Sequence, residues 1–307
     1  MQLTRRTLLQ GAGASLALTG LGPRAIWAST QVQFGTMQVQ TLSDGYLTLP
    51  GDLLFAPMPQ DELAPILARH GVPSGAQKSD CNITLLRDAD RLVVFDTGSG
   101  PAFQQSAGKL TDALDTAGVA PGEVTHVVFT HAHPDHLWGV LDDFDEPFFP
   151  NAEHMMGQVE WDYWINPNTV DTIDTGRTTM AVGARRRLAM LQDAITLFGD
   201  DQEILPGVAA RATYGHTPGH MSFELRSGSD SVMVLGDAIT NSHVAFERPG
   251  WASGSDQDQS TAAAARTRLL DQVSADQMRL IGYHLPGGGM GRAERHGDGY
   301  RFIPENT

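Results

Sequence analysis

The order of elements along the chain predicts two β-sheets packed face to face with helices outside. Three observations carry this. Short apolar runs recur in two groups, one before and one after a helical middle. Each group is followed by a helix and a further strand. No repeat and no Pro/Gly/Ser-rich linker divides the chain, so residues 29–307 read as a single domain. In order, 39–42 and 46–49 flank Ser43-Asp44-Gly45 as strand, turn and strand. A short helix is expected over 61–70, stopped by Gly71. Residues 82–87 and 91–95 form a second hairpin across Asp88-Ala89-Asp90. The spacing of Leu110, Leu114 and Ala117 predicts a helix over 103–117, and 124–130 is a strand. Segment 142–205 is the least regular, with a helix from about 180 to 198. Strands follow at 208–214, 222–226 and 231–235. Residues 262–273 are helical by propensity, and 281–284 are a last short strand.

The chain has 307 residues, 41% of them hydrophobic and 19% charged. It carries 36 acidic and 21 basic side chains, a net charge of -15. A nucleic-acid binder needs a basic surface to displace counterions from phosphates, so that class is excluded. The single cysteine, Cys81, excludes a disulfide framework and a Cys-rich zinc module, and reads as a buried, inert small hydrophobe. No apolar run is long enough for a membrane span. Residues 1–28 read as an export signal: Arg5 and Arg6 precede a Gly/Ala/Leu-rich stretch, and Ala28-Ser29 is a cleavage point. The arginine pair resembles a twin-arginine signal, with an ordinary secretory signal or a mobile N-terminus as the alternatives. The twin-arginine reading implies a periplasmic enzyme exported already folded.

The chemistry is carried by Thr130-His131-Ala132-His133-Pro134-Asp135-His136, at a strand's end. Imidazole and carboxylate are the expected ligands of a borderline divalent metal such as zinc. His131 and His133 are two apart and point the same way in extended chain. Asp135 and His136 follow Pro134, where the chain turns toward helix, and face a second point. One short segment can therefore serve two neighbouring metals. Gly215-His216-Thr217-Pro218-Gly219-His220, Leu235-Gly236-Asp237, Gly282-Tyr283-His284 and Asp96-Thr97-Gly98 also lie at strand ends, where open-sheet enzymes build sites.

This set resembles the metallo-β-lactamase-fold hydrolase superfamily from Thr41 to about Pro304. Within it the chain is similar to the group of methyl parathion hydrolase and the N-acyl-homoserine lactonases, through Leu42-Ser43-Asp44-Gly45, Phe149-Pro150-Asn151-Ala152 and His284-Leu285-Pro286. The resemblance implies a four-layer αββα sandwich of two mixed sheets. It implies two divalent metal ions, zinc first with others open. His131, His133 and His220 would hold one, Asp135, His136 and His284 the other, and Asp237 would bridge them. Asp96 would support the site, and His216 would orient a ligand or stabilise its turn. A bridging hydroxide would attack, with Asp135 as proton acceptor and no Ser or Cys nucleophile.

The expected substrate is a small molecule with a neutral, hydrophobic ester-type bond: an aryl ester, a lactone or a phosphotriester. The expected pocket residues are Leu53, Leu54, Phe55, Trp161, Tyr163 and Trp164, with ordinary core packing as the alternative for these side chains. Many lactonases of the group carry tyrosine where this chain has Thr240, which weakens the N-acyl-homoserine lactonase reading. Tyr283 is an alternative phenol. A glyoxalase-II-like thioesterase, a diiron oxidoreductase and a non-catalytic binding protein are further alternatives, and a homodimer stays open.

Overall fold

The computed structural model describes residues 30–305. The signal expected over 1–28 and its cleavage point lie outside the described residues. The first sheet contains β1 (Gln31–Phe34), β2 (Met37–Leu49), β3 (Gln77–Asp88), β4 (Arg91–Phe95), β5 (His126–Phe129), β6 (Glu153–Gly157) and β7 (Ile195–Phe198), side by side in that order. Its first four strands pair antiparallel, and β4 to β7 pair parallel. The second sheet contains β8 (Glu203–Leu205), β9 (Val208–Ala212), β10 (Met221–Ser227), β11 (Asp230–Gly236), β12 (Arg279–Gly282), β13 (Met290–His296) and β14 (Gly299–Pro304). There β11 and β12 are the parallel pair. Parallel neighbours need crossovers. Helix Leu110–Thr116 lies between β4 and β5, helices Gln158–Ile165 and Thr178–Leu191 between β6 and β7, and helix Gln259–Ala275 between β11 and β12.

Alternation along the strands builds the layers. Val93, Phe95 and Val128 of the first sheet meet Phe223, Val232, Val234 and Ile281 of the second in one core between the sheets. Their neighbours Val94, Val127 and Phe129 face the other way, against Leu114, Leu137 and Leu188 beneath the helices. On the far side Met233, Leu235 and Leu280 pack on Leu269, Leu270 and Val273 of helix Gln259–Ala275. Strands buried on both faces read as continuous apolar runs, which is why these were visible in the sequence. No helix among the described residues is long and apolar enough to cross a membrane.

Three local expectations are corrected. Residues 43–45 are a bulge within the single strand β2, where the register to β3 shifts between Ser43 and Tyr46. The bulge buries Asp44, whose carboxylate accepts N–H bonds from Ser99 (2.8 Å), Gly108 (3.1 Å) and Leu110 (2.8 Å). Those bonds hold 103–109 as a loop, so the helix expected over 103–117 is confined to Leu110–Thr116. The helix expected to run to 198 stops at Leu191, and the β-branched Ile195-Thr196 enters β7 instead. The predicted helix over 61–70 is found as Gln60–His70, ending on Gly71 at φ 63°. Replacing Asp44 by Ala is expected to cost about 3 kcal/mol of stability, because three buried donors lose their acceptor. Urea denaturation measures it, and an unchanged midpoint would contradict this role.

Candidate metal centre

After β5 the chain stays extended through His133 (φ -65°, ψ 159°), then Pro134 opens helix Pro134–Leu137 at a position where its missing N–H costs nothing. Extension places the rings of His131 and His133 together, with centroids 4.6 Å apart. The helical turn sends Asp135 and His136 to the neighbouring point. From the second sheet come His216, in the turn between β9 and β10; Asp237, after β11; and His284, after β12. All of these side chains are buried.

Two donor groups result. In the first, His131 Nε2 and His133 Nδ1 are 3.0 Å apart, and so are His133 Nδ1 and His216 Nε2. Asp237 Oδ2 lies 3.3 Å from His216 Nε2. In the second, His136 Nε2 lies 3.4 Å from Asp135 Oδ2 and 3.3 Å from Asp237 Oδ1. His284 Nε2 lies 3.3 Å from Asp135 Oδ2 and 3.2 Å from Asp237 Oδ2. Asp237 thus presents oxygen to both groups.

The outward ring nitrogens are anchored. His136 Nδ1–H donates to Asp96 at 2.8 Å, His284 Nδ1–H to the Asp80 carbonyl at 2.8 Å, and His131 Nδ1 bonds Thr130 Oγ1 at 3.0 Å. Asp96, in the left-handed region at φ 66°, also accepts both the N–H and the hydroxyl of Thr130 at 2.8 Å. It lies behind the His136 ring, on the side away from Nε2. Bonds of this kind fix the tautomer and aim Nε2 inward.

His216 and His220 exchange the places expected of them. His220 Nε2 accepts the Asp237 backbone N–H at 2.8 Å, and its Nδ1 bonds Thr213 Oγ1 at 2.8 Å. Both ring nitrogens are committed, so His220 is not brought to the cluster as a donor. It is a brace beneath Asp237, and Gly236 leaves the room: a Cβ there would come within 2.6 Å of His220 Nε2. Burial, then the charge of His216, lower its pKa to about 3. His216 turns Nε2 to the cluster because its Nδ1 bonds Asp256 at 3.0 Å, and Arg266 holds the other Asp256 oxygen at 3.1 Å.

The donors fit divalent cations. Asp135 Oδ2, His136 Nε2 and Asp237 Oδ1 are buried without a hydrogen bond, in a fold that otherwise satisfies most of its buried polar atoms. Burial and neighbouring imidazoles hold His131 and His133 well below the ordinary histidine range. Burial also presses on His136 and His284, but the carboxylates of Asp135 and Asp237 outweigh it and raise both. Those two carboxyls are held low by the same imidazoles, against their own burial. Two buried acids thus face buried imidazoles, and bound cations would supply positive charge at the same place.

A family model described as metallo-beta-lactamase superfamily matches residues 77–284. The chain belongs to that superfamily. Two solved structures share the superfamily fold over nearly their whole length. AidC, a dizinc quorum-quenching lactonase, has TM-score 0.84 and 25% identity, covering 91% of this chain and 98% of that one. The hydrolase AbOPH of the beta lactamase superfamily has TM-score 0.84 and 25% identity, covering 92% and 99%. Among curated proteins, "Metallo-beta-lactamase domain-containing protein 1" of Xenopus laevis is 37% identical over 29% of this chain and 32% of its own length. "Uncharacterized protein YobT" of Bacillus subtilis is 30% identical over 37% and 46%. The chain spans less than half the length of the curated relatives it matches. The chain thus combines superfamily membership with a buried His/Asp cluster whose atoms could hold metal.

A cavity of about 680 Å³ opens onto the metallo-beta-lactamase centre at His133, Asp135, His216, Asp237 and His284. Its walls include Leu47, Leu49, Leu53, Phe103, Ile173 and Met180. Of the expected pocket residues, Leu53 and Tyr163 line it. Leu54 and Phe55 point instead into a separate core with Leu63 and Ile66. Trp161 packs on the core under the helices. Trp164 is buried beside His133, its indole N–H given to Glu160 at 2.5 Å. Thr240 is buried and not among the lining residues. Tyr283 stacks on His136 and donates its hydroxyl to the Asp135 carbonyl, so it is no substrate phenol. The phenol that reaches the cavity is Tyr163, whose hydroxyl bonds Gln257 at 2.9 Å. Burial pushes the Cys81 thiol up to about 12, which suits no nucleophile.

Sequence reasoning passed over Asp256, Arg266 and Glu160. Glu160 accepts the Ala132 N–H (2.9 Å), the Gly219 N–H (2.9 Å) and the Thr217 hydroxyl (2.7 Å), joining the two histidine loops. None of the three belongs to a spaced motif, and the strand before Glu160 was itself not read from the sequence. Burial was the signal that mattered, and one sequence does not display it.

Proposed function

We propose that the chain is a dinuclear metal hydrolase of neutral, hydrophobic ester-type bonds, in an aryl ester, a lactone or a phosphotriester. The observation that carries the reading is the cavity, lined by members of the donor cluster and by Leu47, Leu49, Leu53, Phe103, Ile173 and Met180, with Asp174 and Arg177 also on its wall. In this reading His131, His133 and His216 would hold one cation and Asp135, His136 and His284 the other, with Asp237 belonging to both groups. Imidazole and carboxylate suit zinc. A divalent pair bound there supplies Lewis acidity toward a carbonyl or phosphoryl oxygen and lowers the pKa of water toward neutrality.

The chain's own part is positional. Asp135, with one oxygen free of hydrogen bonds at the cavity, accepts a proton. Asp256, Asp96 and the Asp80 carbonyl hold three imidazoles in register. The apolar walls take the substrate's hydrophobic part and thin out water. A lactone is favoured within the class by the likeness to AidC over almost all of that chain.

The test is metal content with a panel of lactones, aryl esters, phosphotriesters and thioesters. Chelation is expected to lower turnover by about 10²-fold or more and to lower the thermal midpoint, since buried donors then lose their counter-charge. Added Zn²⁺ is expected to restore both. Equal turnover by the metal-stripped and loaded chains would overturn the reading. So would a fully loaded chain inert toward every lactone, aryl ester and phosphotriester in the panel.

A further inference from the structure

Cys81 lies in β3 opposite the bulge of β2, between two residues that brace the loop carrying His284. The Asp80 carbonyl takes the His284 Nδ1–H at 2.8 Å. Asn82 gives its backbone N–H to the Tyr283 carbonyl at 2.9 Å and its side-chain amide to the carbonyls of Tyr283 and Leu285, each at 2.8 Å. The sulfur between them is wholly buried, and its backbone hydrogen bond is a weak 4.0 Å approach to the Ser79 carbonyl. Cys81 Sγ, a carboxylate oxygen of Asp135 and a ring nitrogen of His284 all lie within 4.8 Å of one another. Asp135 Oδ2 is itself buried without a hydrogen bond.

We propose that Cys81 is a thiol donor to the second cation position, adding sulfur to the Asp135, His136, Asp237 and His284 set. The assignment rests on the dinuclear reading above. A thiol that reaches a metal ion loses its proton to solvent as the bond forms, so one extra proton is released per chain on loading. Sulfur at this position selects softer and borderline cations, zinc, cobalt and cadmium, over magnesium and manganese.

Co²⁺ added to the metal-stripped full chain reads this directly. Visible d–d bands report nitrogen and oxygen ligands, and a near-ultraviolet sulfur-to-cobalt charge-transfer band reports thiolate. The chain has one cysteine, so such a band has one source. The expected result is both sets of bands in the wild type. Cys81→Ser and Cys81→Ala should lose the charge-transfer band, keep the d–d bands, and bind the second equivalent of Zn²⁺ about 10-fold more weakly. Wild-type d–d bands without charge transfer would overturn the assignment whether or not either variant folds. Absence of both kinds of band would remove the dinuclear reading, and this assignment with it.

Discussion

Exchanging His216 for Ala is expected to lower kcat/KM by about three orders of magnitude, some 4 kcal/mol of transition-state stabilisation, and to lower the metal bound per chain. Exchanging His220 for Ala is expected to leave the metal in place. The two histidines are four residues apart in one tight turn, yet their ring nitrogens have opposite occupations. His216 spends Nδ1 on Asp256 and keeps Nε2 among the donors, 3.0 Å from His133 and 3.3 Å from Asp237. His220 spends both nitrogens, one on Thr213 and one on the backbone of Asp237. Its loss strands the buried Asp237 N–H, takes one partner from Thr213 and opens a cavity, at a cost of about 3 kcal/mol in stability. Metal analysis by emission spectroscopy and urea denaturation separate the outcomes. Full metal in the His216→Ala variant and depleted metal in the His220→Ala variant would restore the ligand set first expected from the sequence.

The second large effect is expected at Glu160. Its carboxylate accepts four hydrogen bonds, from Ala132 between two of the histidines, from Thr217 and Gly219 in the other histidine loop, and from the Trp164 indole. Burial raises its pKa even against those four donors, a measure of how dry the position is. Glu160→Ala leaves two backbone N–H groups, a hydroxyl and an indole N–H without acceptors. The expected cost is about 4 kcal/mol of stability, with a 10- to 100-fold loss of activity as the ligand loops lose their common fastening. Glu160→Gln should fall between, since its amide keeps one acceptor and turns donors toward donors. Thermal melts with parallel kinetics check this, and a Glu160→Ala variant that melts with the wild type would refute it.

The metal-binding side chains were legible because their chemistry is rare and clustered. Three histidines and an aspartate within six residues after an apolar strand admit few bland explanations. His216 against His220 was not legible. Gly-His-Thr-Pro-Gly-His offers two imidazoles of equal type, and only the path of the turn decides which lies under Asp237. Asp256 and Glu160 stayed hidden because a carboxylate is ordinary on a surface, and nothing local marks these two as buried. In the fold, strands buried on both faces announced themselves. β1, β6, β7, β8, β13 and β14 did not. Several of these alternate or carry charges, as in Met290–His296, and lie at or near sheet edges whose partners are fixed by the rest of the sheet. The bulge at Asp44 looked like a turn because Ser-Asp-Gly is turn chemistry, and the donors that hold it lie more than fifty residues away.

The seven donors are split between the halves of the molecule, four following β5 and three from the turns around β9 to β12. A nascent polypeptide that has emerged only through residue 200 offers one half of a cage and no counterpart. Under the dinuclear reading, ion capture waits for nearly complete synthesis, and a bound ion would tie the two sheets to each other. Occupancy then reports on tertiary closure, and a loaded molecule resists separation of its halves by the free energy of every bond the ion makes.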